Sequence, residues 1–132
     1  MKKTFTFLVV LGLAFSASAQ TIVSTTAQNK KVVLEEFTGI HCTYCPDGHK
    51  RANELKAANA GNVFLVNIHA GGYATPAAGE PDLRTTEGTT IDGASGLTGY
   101  PAGSVSRVKS PRAEGRGTWA ATAATVLAQS SP

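Results

Sequence analysis

Two apolar runs, Lys-Val-Val-Leu-Glu-Glu-Phe at 31–37 and Val-Phe-Leu-Val-Asn-Ile at 63–68, flank a stretch of helical character at 47–59. That arrangement leaves few folds open. Near-continuous apolar runs of six or seven residues fit strands covered on both faces of a sheet better than strands at its edge. Between them, Ala52, Leu55, Lys56 and Ala58 form a weak apolar stripe among good helix formers, and Gly61-Asn62 ends it. A strand, a helix and a second buried strand in sequence predict a right-handed crossover joining parallel strands. Glu35 and Glu36 interrupt the first run. One of them must meet burial, and alternation alone does not decide which.

The turn from the first strand into the helix carries Thr38-Gly39 and then Cys42-Thr43-Tyr44-Cys45-Pro46. Pro46 suits a first helical turn, where its missing N–H removes no bond. A helix start presents unpaired N–H groups and roughly half a positive charge, which favour a thiolate over a thiol. A bridge between Cys42 and Cys45 would close a loop of only four residues. Loop closure gives such a bridge about 2 kcal/mol, against more than about 4 for a hundred-residue loop. It is a modest staple and a suitable redox switch. Two other readings stand beside the redox one: a purely structural disulfide, and a metal site using Cys42, Cys45, His49 and His69, against which the two histidines read as ordinary polar residues, one on a helix face and one at a strand end. Haem attachment is excluded, because Pro46 occupies the position its histidine requires. In the redox reading Cys42, the outer sulfur, attacks, and Cys45, one turn inward, resolves the mixed disulfide.

The rest of the chain is modest in size. Lys2 and Lys3, the apolar core at 5–15 and Ala17-Ser18-Ala19 read as a signal peptide over 1–19, cleaved after Ala19. The apolar core is shorter than the about 20 residues that a spanning helix needs, and no later stretch reaches that length. The formal charge of +3 includes Lys2 and Lys3, and without them it is +1. No basic cluster then points to nucleic acid. Residues 20–30 read as a flexible lead-in and 31–129 as one domain. Within it, 70–79 reads as loop and 82–94 as a second helix, although Gly88, Gly93 and the threonines weaken it. Residues 102–108 read as a strand, 109–117 as a hairpin loop and 119–129 as the last helix, with Trp119, Ala123, Val126 and Leu127 on one side. Phosphate-loop, serine-hydrolase and zinc-protease motifs leave no trace in the chain, and no cofactor is expected.

This order of elements resembles the thioredoxin fold: a central mixed β-sheet flanked by helices, with Cys-x-x-Cys at the N-terminus of the first helix. Glu36 lies six residues before Cys42, where thioredoxins and periplasmic disulfide oxidases carry a buried acid. Tyr100-Pro101 begins a strand where such proteins place a cis proline beside the sulfurs. The wording Val33-Leu34-Glu35-Glu36-Phe37-Thr38-Gly39, Cys42-x-x-Cys45-Pro46-x-Gly48-His49 and Gly99-Tyr100-Pro101-Ala102-Gly103 with Arg107 resembles the outer membrane protein 28-related family. These are exported proteins of Bacteroidetes-type bacteria, usually longer than this chain, which would then be a fragment or a short member.

The resemblance implies catalytic roles for Cys42, Cys45, Glu36 and Pro101, and substrate contacts for His41, Tyr44 and Tyr100. Glu36 would accept the proton of Cys45, its pKa raised by burial, unless Glu36 faces solvent and Glu35 is the buried one. His41 would stabilise the Cys42 thiolate, or else is a solvated loop histidine. Two functions follow as expectations. One is thiol–disulfide exchange in the periplasm or at the outer membrane, with protein thiols and disulfides of the envelope and an unidentified redox protein as partners. The other is a non-catalytic envelope scaffold with a structural disulfide. Fold alone does not choose between them.

Overall fold

The computed structural model describes residues 26–131. The expected signal peptide at 1–19 lies outside them. The chain runs β1 (Gln28–Asn29), β2 (Val32–Thr38), α1 (Cys45–Ala58), β3 (Val63–His69), a short 3₁₀ turn (Gly72–Ala74), α2 (Thr86–Gly93), β4 (Ala102–Val105), β5 (Glu114–Gly115), α3 (Trp119–Leu127) and β6 (Ser130–Ser131). The main sheet has the order β3-β2-β4-β5. β2 and β3 are parallel with Val32 opposite Val63, as the crossover requires, whereas β4 is antiparallel to β2 with Leu34 opposite Val105. The result is a mixed sheet in a mixed α/β protein. At the end of the segment expected as a lead-in, Gln28 and Asn29 pair with Ser131 and Ser130, so the ends of the described chain meet.

Alternation along β2 sorts the sheet into two faces. Val32 and Leu34 point to one face and, with Val63 and Val105, meet Ala52 and Leu55 of α1 and Trp119, Ala123 and Val126 of α3. Each large aliphatic side chain sealed there contributes about 1.5–3 kcal/mol. Gly103 is required at this contact, since a Cβ on it would stand 2.7 Å from the Trp119 ring. On the opposite face Phe37, Ile68, Ala70 and Ala102 form a second core with Ile91 from α2, Leu97 and Tyr100.

The two long strands differ from expectation in how they are covered. β3 is an edge strand, and Phe64 and Val66 are about half exposed on it, with Val33 of β2 beside them. The short α2 covers only the Phe37 end of that face, so apolar sequence here does not mean burial on both sides. The second helix is eight residues and starts late, where the Thr85 hydroxyl caps it by accepting from the Gly88 N–H at 2.9 Å. β4 stops at Val105 because Ser106 and Arg107 take φ of 48° and 52°, outside strand geometry.

Candidate functional site: the disulfide at the start of the first helix

Cys42 and Cys45 form a disulfide. The turn that delivers it is held by backbone bonds from the His41 N–H to the Tyr73 carbonyl and from the Cys42 N–H to the Gly39 carbonyl. Gly39 lets two segments touch: a Cβ there would stand 2.3 Å from the Tyr73 carbonyl carbon. Pro46 follows in the first turn, and Asp47 adds a negative charge beside the helix start. Asp47 is held ionised by Arg116 and Arg51, whose hydrogen bonds lower its pKa. Cys42 is 8 % exposed and Cys45 1 %, so Cys42 is the less enclosed of the pair. Tyr44 stands exposed between them.

Register settles which glutamate is inside. Glu36 shares the face of Val32 and Leu34 and lies beneath α1, 1 % exposed. Glu35 points the other way and is paired in a fork by Arg107. Glu36 Oε2 is 3.0 Å from His49 Nδ1, and the other ring nitrogen, Nε2, is 3.2 Å from the Thr38 hydroxyl. Oε1 has no hydrogen-bond partner among the described residues. It lies where a Cβ on Gly48 would come to 2.5 Å, and the same Cβ would meet Pro101 at 2.9 Å. Burial raises the Glu36 pKa, and the charge and hydrogen bond of His49 draw it part of the way back.

Pro101, joined to Tyr100 by a cis bond, thus packs on Gly48, one turn beyond Cys45, with Glu36 against the same glycine. Glu36, Gly48, His49 and Pro101 are thereby brought together under the first turns of α1. Two of the expected substrate contacts are engaged elsewhere. His41 Nε2 lies 2.9 Å from Glu80, whose carboxylate also accepts from the Ala77 N–H, so the imidazole anchors the 77–80 loop. Tyr100 donates to Asp92 at 2.6 Å, which with burial raises its pKa, and its ring meets the edge of Tyr73. Gly71 has no Cβ, and one there would stand 2.4 Å from the Tyr100 hydroxyl.

His49 and Thr38 are the site residues that sequence reasoning missed. Both signals were present. His49 follows Cys45 by four residues, which puts them on one helix face, and Thr38 is two residues beyond Glu36 on one strand face. Weighed as a metal ligand or an ordinary polar residue on a helix face, His49 directs both ring nitrogens to Glu36 and Thr38. His69, the other ligand candidate, sits at the end of β3 with Nδ1 buried and unpartnered among the described residues. Its pKa is lowered by burial and by the charge of His49.

Comparison with protein-family models, curated proteins and solved structures returned no match. Architecture and site together define a class only: a mixed α/β protein whose Cys-x-x-Cys disulfide opens its first helix above a buried carboxyl group. Among the described residues no helix is long and apolar enough to cross a membrane.

Proposed function

We propose that this is a thioredoxin-like protein that carries out thiol–disulfide exchange through Cys42 and Cys45. The observation that carries the reading is the burial of Glu36 beneath a helix that begins with a disulfide of unequal sulfurs. A buried carboxyl is poorly explained as a stabilising element, because desolvating its charge is unfavourable. It is well explained as a group poised to exchange a proton with a buried thiol. Placement in the cell envelope, and kinship with the outer membrane protein 28-related family, belong to the same proposal and rest on the sequence motifs.

In exchange, a substrate thiolate attacks the Cys42 sulfur, a new S–S bond forms and the Cys42–Cys45 bond breaks. Cys45 leaves as a thiolate and takes a proton from the carboxyl below. The second substrate thiolate then attacks the substrate sulfur of the mixed disulfide, closing the substrate disulfide and releasing Cys42 as a thiolate. In the opposite direction the Cys42 thiolate attacks a substrate disulfide, forming a mixed disulfide as the substrate S–S bond breaks and its other sulfur leaves as a thiolate. Cys45 then gives its proton to the Glu36 carboxylate and attacks Cys42, releasing the substrate thiolate. The test is trapping. Cys45→Ser should accumulate mixed disulfides on Cys42, and Cys42→Ser should abolish insulin reduction. Mixed disulfides on Cys45 in the Cys42→Ser protein would reverse the roles, and absence of both activities would remove the reading.

A second reading, a scaffold that binds other envelope proteins, is favoured by one feature. Val33, Phe64 and Val66 leave part of a sheet face apolar and exposed.

A further inference from the structure

Glu36 poses a problem that its own position does not solve. A carboxyl 1 % exposed has no direct route to water, yet each cycle of a dithiol–disulfide couple takes up and releases a proton. Its hydrogen-bonded contact among the described residues is His49, through Oε2 and Nδ1 at 3.0 Å. The His49 side chain is 35 % exposed, so one ring touches both the sealed carboxyl and solvent. An imidazole can take a proton on one nitrogen and give one from the other, which suits it to link two such places.

Resting on the exchange reading, we propose that His49 is the proton-transfer partner of Glu36, carrying the proton of the Cys42–Cys45 couple between that carboxyl and water. On reduction the substrate dithiol supplies two electrons, and the Cys45 thiolate takes its proton from Glu36. Glu36 is then reprotonated from the Nδ1 side of His49, and the ring regains its proton from water. On reoxidation the proton moves outward by the same steps. Protonating Cys45 matters because an unprotonated thiolate attacks Cys42 again and reverses the exchange.

The surroundings of the ring fit this use. From β2 it meets Glu36 and Thr38, and from β3 it feels His69, whose own pKa it lowers. On its own helix Asn53 reaches only the His49 backbone carbonyl. The hydroxyl of Thr38 at 3.2 Å bonds Nε2 and keeps Nδ1 turned to Glu36, so a proton crossing at Nε2 passes by way of that hydroxyl. Gly48 has no side chain to wedge the carboxyl away from the ring.

The experiment is steady-state reduction of insulin driven by dithiothreitol, as a function of pH. His49→Gln should slow turnover about tenfold above the pH at which Glu36 titrates, less than the about hundredfold expected for a group acting directly on substrate. Alkylation of reduced Cys42 should keep its normal pH profile. In His49→Ala, added imidazole should restore turnover. Unchanged turnover and pH profile in His49→Gln, with wild-type protein active, would overturn the inference and leave the exchange reading intact. Inactive wild-type protein with an unreducible disulfide would overturn both. Should the substituted proteins fail to fold, NMR titration of unsubstituted protein decides the matter. The His49 ring and the Glu36 side-chain carbon should share an inflection. Independent titration of the two would overturn the proposal.

Discussion

Nδ1 of His49 stands 3.0 Å from Oε2 of Glu36, tying the first helix to a carboxyl sealed beneath it. Gly48 and Pro101 pack against that contact. Cys45 precedes His49 by one turn, Gly48 makes room for the carboxyl and Pro101 closes the space behind it.

Glu36 gives the protein a characteristic pH dependence. Its pKa is raised above the ordinary 4.5, first by burial, with His49 opposing. Between those two values the folded protein keeps a proton that the unfolded chain has lost, so this group makes stability fall as pH rises through that window. Each tenfold rise in proton affinity is worth about 1.4 kcal/mol above the window. Denaturant unfolding followed by Trp119, the single tryptophan, should show Glu36→Gln removing that decline. A wild-type profile no steeper than that of Glu36→Gln would contradict the assignment.

His69 acts in the opposite sense. Burial, aided by the charge of His49, lowers its pKa below 6.5, so the unfolded chain binds the proton first. Its contribution is present above 6.5 and is lost as pH falls through the lowered value. His69→Gln should make the stability profile flatter on the acid side of neutrality.

Gly48 and Gly93, both in helices, should answer alanine differently. Alanine is normally the better helix former by about 1 kcal/mol. At Gly93 nothing lies within 4 Å of an added Cβ, and Gly93→Ala should be neutral or stabilising. At Gly48 the same carbon meets Glu36 at 2.5 Å and Pro101 at 2.9 Å. Gly48→Ala should therefore destabilise by about 1–3 kcal/mol, as overpacking does, and should disturb the pH dependence as well. Thermal melts of the two variants make the comparison.

Tyr100→Phe removes the hydroxyl that donates to Asp92 at 2.6 Å. A hydrogen bond to a charged acceptor contributes about 1.5–3 kcal/mol. The loss should appear in the melting temperature, and the Tyr100 hydroxyl, whose pKa burial and Asp92 raise, is removed with it.

The parts of this fold that were legible were those where local pattern and tertiary role agree. The apolar runs of β2 and β3, the helix formers between them and the Ala-rich α3 each mark an element, and the parallel pairing follows from the crossover. What stayed closed depended on neighbours far along the chain. Nothing in Val-Phe-Leu-Val says that β3 lies at the sheet edge with Phe64 and Val66 exposed. The choice between Glu35 and Glu36 required the register against β4 and the position of Arg107, 72 residues from Glu35. His41 was weighed as a neighbour of Cys42, but its ring is taken up by Glu80, 39 residues on.

The most direct test of the account is the equilibrium of the Cys42–Cys45 pair with a graded series of glutathione or dithiothreitol buffers. Redox state is read by thiol alkylation and folding by Trp119 fluorescence. The account predicts reversible reduction of the folded protein at a potential well above the about −300 mV typical of structural bridges. A disulfide that resists reduction until the tryptophan signal shows unfolding would contradict it.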